Sequence, residues 1–411
     1  NNYMEISNKK FLIYGAGVSG ISAYKFLTIK GAICVMYADK KPDNLEIENY
    51  INSFNKALEF KADYVVLSPG VNIIGNKNIV KLKKNGALIL SELELGYLFC
   101  KGKFVAVTGT NGKTTCVSLL NHILSTKYKT FLCGNIGLPV TSIVEQTDEN
   151  SIVVCEVSSF MLETVSPNFK PDIAVILNIT PDHISRHKTF DNYYNTKLEI
   201  TNYQNNNDYL LIPDNLKNIQ TNAKKIIINY KKYKSNLIGD FNNLNIAFCD
   251  KICELLNINK KQFNLALKTF SPVPFRLEYL GKKKGITYIN DSKSTNPDSC
   301  IQALKAMKKP VVVLLGGSDK GNNFNNIFKL KNKIKLAIIY GQTADILESD
   351  ANFCGYNKIA KFDTLNQALT HLSSFVKRGD IVLFSPACAS YDEFKNYVER
   401  GEFFNSYVEN K

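Results

Sequence analysis

Phe104-Val105-Ala106-Val107-Thr108, followed by Gly109-Thr110-Asn111-Gly112-Lys113-Thr114-Thr115, is the stretch on which the fold turns. The first five residues are short, apolar and β-branched, which suits a strand buried on both faces. The loop Gly109–Lys113 then leads into a helix that runs through about Ser125. Strand, glycine loop and helix in that order are the unit of a parallel α/β sheet. Glycines let a backbone wrap an anion, and the free N–H groups of a helix start point at it. Gly109, Thr110, Asn111, Gly112 and Thr115 would form the cradle, Lys113 would reach the terminal phosphates, and the Thr114 hydroxyl would ligate Mg²⁺. The usual phosphate loop opens with a further glycine, at the position that Val107 holds here.

Further candidates lie on either side. Glu156 ends the apolar run Ile152-Val153-Val154-Cys155. Ligands bind where parallel strands end, so its carboxylate is a candidate for the same Mg²⁺. Taken alone it would be an ordinary strand-end glutamate. Asn178-Ile179-Thr180-Pro181-Asp182-His183 also follows a strand, predicted over Ile173–Ile179. Near the N-terminus, Gly15-Ala16-Gly17-Val18-Ser19-Gly20 stands between strand Lys10–Tyr14 and a helix near Ser19–Lys30, and Asp39 follows the next strand. Read naively, that is a dinucleotide-binding turn and predicts a nicotinamide dehydrogenase. Such a reading leaves Gly109–Thr115 unexplained.

The pattern continues along the chain. Strands are predicted over Tyr64–Ser68, Ala87–Leu90 and Ser151–Val157, and a helix over Asn242–Leu256. The polar region Asn202–Asn218 reads as surface structure. Ser271–Phe275 is Pro-rich and reads as a linker. Beyond it a third α/β pattern has strands over Ile286–Asn290, Val311–Leu315, Leu336–Tyr340 and Ile381–Phe384, with a helix opened by Asn296-Pro297.

The 411-residue length is too great for one hydrophobic core. No stretch approaches the roughly 18 apolar residues of a membrane span, and the polar start Asn1–Lys10 is no secretory signal. The net charge of +14 suits anionic small molecules. The lysine runs, Lys231, Lys232 and Lys234 and again Lys282–Lys284, are expected in turns and not in a basic face interleaved with aromatics, which argues against nucleic acid. Ten cysteines are scattered singly, as at Cys34, Cys155 and Cys388 inside apolar strands, and Cys249 and Cys253 share a helix face. Reduced thiols in a cytoplasm are expected, with neither a disulfide framework nor a zinc site.

Strand–GTNGKTT–helix, then Glu156-Val157-Ser158-Ser159-Phe160, then Asn178–His183, resembles the central ATPase domain of the Mur ligase family, and the resemblance runs in matching order over nearly the whole chain. It implies three α/β domains: a Rossmann-like domain over 1–93 that holds a UDP-sugar, a central P-loop ATPase-like domain over 94–272, and a Rossmann-like amino-acid-binding domain over 273–411. Ser68-Pro69-Gly70, Gly134-Asn135-Ile136-Gly137, Asn290–Asn296, Gly316–Lys320 and Ser385–Ser390, with Asp392-Glu393-Phe394 and Arg400-Gly401, look like the branch that adds D-glutamate. The implied reaction joins D-glutamate to UDP-N-acetylmuramoyl-L-alanine with ATP through an acyl phosphate, as a step of peptidoglycan synthesis. Another amino-acid-adding member or a folylpolyglutamate synthase is the alternative within the family. A protein that binds nucleotide without releasing phosphate is the alternative outside enzymes.

The resemblance also implies roles. Lys113 and Thr114 would hold ATP and its Mg²⁺, with Glu156 as a metal ligand. Lys197 matches the lysine that the family carbamylates with CO₂, whose oxygens take a second Mg²⁺; read from sequence alone, it is a solvent-exposed helix lysine. His183 would sit by the acyl phosphate, and either it or the Lys197 carbamate would take the amine proton. Asn242, Arg276 and Asp291 would contact the nucleotide. Thr295 and Lys320 would hold the α-carboxylate of D-glutamate, and Ser390 and Tyr397 its side-chain carboxylate. Ser19, Asp39, Lys40, Ser68, Gly70 and Asn135 would line the UDP-sugar path. The chain departs from the family at Phe241-Asn242, where His-Asn is frequent, and at Tyr397, where Phe is frequent. A monomer acting on small molecules is implied, with no membrane insertion and with closure of the third domain to shield the acyl phosphate.

Overall fold

The computed structural model describes residues 4–43, 45–271 and 273–411. Asn1–Tyr3 of the polar N-terminus and Pro272, which falls in the expected linker and ends the expected central domain, lie outside the described residues. The described residues form three sheets. The first contains β1 (Lys10–Tyr14), β2 (Ile33–Tyr37), β3 (Tyr50–Ile51), β4 (Tyr64–Leu67) and β5 (Leu88–Ser91), in the order β3-β2-β1-β4-β5. The second contains β6 (Lys103–Thr108), β7 (Thr130–Gly134), β8 (Ile152–Glu156), β9 (Ile173–Ile176), β10 (Tyr209–Pro213) and β11 (Lys224–Ile228), in the order β11-β10-β9-β6-β8-β7. Both are parallel throughout. The third contains β12 (Glu278–Lys283), β13 (Ile286–Asn290), β14 (Val311–Gly316), β15 (Ile334–Tyr340), β16 (Ile359–Phe362) and β17 (Ile381–Phe384), in the order β12-β13-β17-β14-β15-β16. Only β12 runs antiparallel to its neighbour there.

Two compact units contain these sheets. The first comprises Asn1–Pro181, Arg186–Tyr230 and Asn245–Thr269, and so includes the first two sheets; the second comprises Asp182–Ser185, Lys231–Leu244 and Phe270–Lys411, and includes the third. Continuous apolar runs make the central strands: every residue of β8 and of β14 is buried, as a strand covered on both faces requires. The helices that matter for the site are α1 (Val18–Ile29), α2 (Lys113–Leu124), α3 (Phe190–Leu198), α4 (Phe241–Leu255), α5 (Pro297–Ala306) and α6 (Tyr397–Glu409). α5 starts as its sequence dictates, with the Asn296 side chain accepting from Ser299 N and proline in the first turn. Among the described residues no helix is long and apolar enough to cross a membrane.

Three expectations fail locally. The polar region Asn202–Asn218 hides the strand β10, whose Leu210, Leu211 and Ile212 are fully buried between β9 and β11. Its short apolar core was masked by asparagines on either side. Lys282 and Lys283 lie in the edge strand β12, and only Lys284 is in the turn; an edge strand has a solvated face that tolerates lysine. Cys388 is buried, but in the loop after β17 and not in a strand.

Candidate active site

Parallel pairing brings the ends of β6, β8 and β9 to one edge of the second sheet: Val107 pairs with Glu156, and Thr108 with Ile176. Val107 is fully buried inside β6. The turn therefore begins at Gly109, and a glycine at 107 would serve no conformational purpose. Gly112 has φ +87°, a conformation that glycine adopts without strain, and a Cβ there would press on Asn245 at 2.8 Å. It is the N-cap of α2 and offers no side-chain cap of its own, and the first N–H groups of a helix point outward along its axis.

The loop is held in shape from outside. The Asn178 side chain accepts from Asn111 N (2.9 Å) and donates to Asn111 O (2.9 Å), as a neighbouring strand would. Thr110 N donates to Asn178 O (3.1 Å), and the Thr110 hydroxyl links Thr180 O, Thr180 N and the Tyr193 hydroxyl at 2.9–3.0 Å. Asn178 belongs to a stretch singled out in the sequence, but its clamp on the loop needed the tertiary structure to be seen.

Candidate side chains converge on this loop. Lys113 Nζ curls back to Gly109 O (2.6 Å) and Thr110 O (3.1 Å). The Thr114 hydroxyl donates to Glu156 Oε2 at 2.9 Å, and both residues are buried. Asn135 Nδ2 donates to the other Glu156 oxygen at 3.1 Å. Lys197 overturns its reading as a solvent-exposed lysine. It is 1% exposed, and its Nζ donates to Gly109 O (3.1 Å) and Thr108 Oγ1 (3.3 Å), 4.8 Å from the Tyr193 ring centre. Helical periodicity places Lys197 one turn from Tyr193, which is also buried. Thr115 is buried in the first turn of α2.

In the first sheet, β1 and β4 flank the point where strand order reverses, which is where open α/β sheets take ligands. Gly15 and Ser19 follow β1; Ser68 and Gly70 follow β4. The Ser68 hydroxyl donates to Gly15 O at 3.4 Å. A Cβ at Gly20 would overlap Gly15 O, so that glycine serves close packing of α1 on the sheet. Asp39 and Lys40, both exposed, follow β2, and Asp39 accepts from the Tyr37 hydroxyl.

The second unit gathers its own cluster where β13, β14 and β17 end. Asp291 is buried; its carboxylate accepts from Ser385 Oγ (2.7 Å) and Leu277 N (3.0 Å). Burial pushes it up to about 6, against the pull of Arg276, Ser385, Leu277 and Arg400. Ser390 is buried beyond β17, while Thr295 and Lys320 are half-buried. Lys293 Nζ donates to the Tyr397 hydroxyl at 3.2 Å, so the tyrosine that stands where phenylalanine is frequent has a use for its oxygen. Asn242 is buried and its Nδ2 donates to Ile238 O (2.8 Å). His183 has φ +51°, with Nε2 3.6 Å from Asp182 Oδ2, and Asp182 in turn accepts from Asn296 Nδ2 at 3.1 Å. Arg400, noticed in the sequence only as part of a motif, is almost wholly buried beside Ser292 and Cys388.

A phosphate-type loop at the carboxyl edge of a parallel sheet defines an α/β protein of the P-loop kind. Residues 107–270 match the model of the Mur ligase middle domain, and residues 275–388 match that of the Mur ligase glutamate ligase domain. The chain is 35% identical to the UDP-N-acetylmuramoylalanine--D-glutamate ligase of Lachnoclostridium phytofermentans, covering 98% of this chain and 99% of that one. It is 36% identical to the enzyme of the same name from Thermoanaerobacter sp. strain X514, at the same coverage. The chain belongs to the Mur ligase family. Its fold is also that of a MurF ligase from Thermotoga maritima solved with ADP (TM-score 0.62, 18% identity, 100% of this chain and 97% of that one). A similar match is found with folylpolyglutamate synthase of Mycobacterium tuberculosis (TM-score 0.57, 12% identity, 77% and 92%).

Proposed function

We propose that this chain is the ADP-forming ligase that joins D-glutamate to UDP-N-acetylmuramoyl-L-alanine in peptidoglycan precursor synthesis. The observation that carries the reading is the buried Thr114–Glu156 pair beside a loop whose backbone and Lys113 suit a polyphosphate. A hydroxyl and a carboxylate are hard oxygen donors of the kind Mg²⁺ takes. Among the described residues no group of three or more His, Cys, Asp and Glu could hold a metal, so the remaining ligands would come from ATP, from water and from Lys197. Mg²⁺, when bound, neutralises charge on the transferring phosphoryl group.

Three functional domains, 1–93, 94–272 and 273–411, fit this chemistry, one for each substrate. Ser19, Asp39, Lys40, Ser68, Gly70 and Asn135 would hold the UDP-sugar. Its terminal carboxylate attacks the γ-phosphate and ADP leaves, while Lys113 and the N–H groups at the start of α2 offset charge on the transferring phosphoryl. A free carboxylate is too poor an electrophile for amide formation; the acyl phosphate is activated, and the neutral amine of D-glutamate displaces phosphate from it. Thr295 and Lys320 would fix the α-carboxylate, Ser390 and Tyr397 the distal one, with Asn242, Arg276 and Asp291 at the nucleotide. Burial of Lys197, which is 1% exposed, disfavours the charged ammonium and so supports a carbamate formed on the neutral amine. A cationic amine is costly to bury, and CO₂ on the neutral amine would convert Lys197 to an oxygen ligand able to hold a second Mg²⁺. His183 and that carbamate are the groups for the amine proton. Action in a cytoplasm on small molecules, as a monomer, accords with this chemistry.

Phosphate release with UDP-N-acetylmuramoyl-L-alanine and ATP tests the reading. D-glutamate should stimulate it and L-glutamate should not; stimulation by another amino acid or by a folate instead would reassign the acceptor.

A further inference from the structure

Arg400 and Gly401 are adjacent on α6, and no step above uses either. Arg400 is 1% exposed. Its Nε donates to Ser292 Oγ (3.1 Å), Nη2 to Ser292 O (2.8 Å) and Nη1 to Cys388 O (2.9 Å). Ser292 lies in the loop after β13 that carries Thr295; Cys388 lies in the loop after β17 that carries Ser390. A Cβ at Gly317, which begins the loop leading to Lys320, would come within 3.2 Å of Arg400 Nη1 and would overlap Ala389 O. One guanidinium thus ties two loops together and abuts a third. A planar fork with five donors suits that geometry; the single ammonium of lysine does not.

Gly401 faces a different segment. A Cβ there would overlap the Phe275 ring. Phe275 has φ +61° and Leu277 φ +45°, conformations that bulky residues adopt only when their surroundings impose them. Between them stands Arg276, whose Nε is buried without a hydrogen-bond partner. The segment is pinned by Glu278 Oε2 accepting from Phe275 N (2.9 Å), by Phe275 O accepting from Lys293 N (3.0 Å), and by Asp291 accepting from Leu277 N (3.0 Å). The space left by Gly401 is what lets the Phe275 ring settle and the strained turn hold Arg276.

We infer that Arg400 and Gly401 are positioning residues with separate charges: Arg400 sets the loops that take the acceptor amino acid, and Gly401, through Phe275, sets Arg276 for the nucleotide. The inference rests on the acceptor and nucleotide roles proposed above for Thr295, Ser390 and Arg276.

Steady-state kinetics of the full chain, with KM measured separately for D-glutamate and for ATP, test it. Arg400→Lys should raise KM for D-glutamate about tenfold and leave KM for ATP within about twofold. Gly401→Ala should do the reverse, since a displacement near 1 Å costs this much or more. Adding Phe275→Leu to Gly401→Ala should bring KM for ATP most of the way back. Should Arg400→Lys not fold, Ser292→Ala, which removes one acceptor, should raise KM for D-glutamate in the same selective way. Equal changes in both KM values, loss confined to kcat and Tm, no change at all, or no rescue by Phe275→Leu would overturn the inference. Arg276→Ala separates this from failure of the underlying reading. If it raises KM for ATP while Gly401→Ala does not, the positioning idea alone is wrong; if it leaves KM for ATP unchanged, the nucleotide role of Arg276 is wrong and the Gly401 part falls with it.

Discussion

The Gly109–Thr115 loop of the first unit and the loop cluster of the second are built by different means. In the first, Gly109–Thr115 are contiguous, and the backbone itself would be the ligand-binding surface. In the cluster, Asp291, Thr295, Lys320 and Ser390 come from loops after three strands, and buried side chains knit those loops together. A contiguous site tolerates changes at its flanks but not in the loop. A knitted one depends on its knots, and Asp291 and Arg400 are such knots. The contrast teaches that binding through backbone N–H groups is written locally, whereas side-chain recognition on an α/β sheet has to be assembled.

The largest expected effect breaks the cradle. Lys113→Ala should lower kcat/KM by about a thousandfold or more, since its charge acts on the transferring phosphoryl; near-normal phosphate release would remove the phosphate assignment. Lys197→Ala should cost on the order of a hundredfold, partly recovered by acetate or formate, which replace the carbamate oxygens. Full activity of the unrescued variant would end the second-metal reading.

Two smaller effects probe the cluster. Ser390→Ala should raise KM for D-glutamate about tenfold, the loss of one hydrogen bond to a charged group, with KM for ATP unchanged; an effect on ATP alone would mean that the acceptor loops are misassigned. Asp291 supplies a pH signature. Its carboxyl is raised in the folded chain to about 6 from an ordinary 3.8. The folded state therefore binds the proton more tightly than the unfolded one. The stability this gives is complete below the unfolded value and is lost as pH rises through about 6. Wild type should lose roughly 1–3 kcal/mol over that window, and Asp291→Asn should not. Parallel stability curves for the two proteins would show the carboxyl to be unperturbed.

Much of this was legible beforehand because period and punctuation are local. The buried runs Val153–Cys155 and Val311–Leu315 announce central strands, and the glycine loop between β6 and α2 announces a cradle. What misled was composition. Asparagines around Leu210–Ile212 disguised a buried strand, and Lys197 looked like any lysine on a polar helix.

The amino-acid order by itself determined the three α/β patterns, the loop Gly109–Thr115 and the family to which the chain belongs, since each is encoded in neighbouring residues. Only the tertiary structure decided that Lys197 is enclosed, that Asn178 clamps the loop, and that Arg400 meets Ser292 and Cys388 while Gly401 abuts Phe275. Burial and hydrogen-bond partnership are set by segments far apart in the chain. A side chain's chemistry depends on what surrounds it, and no local stretch of sequence specifies those surroundings.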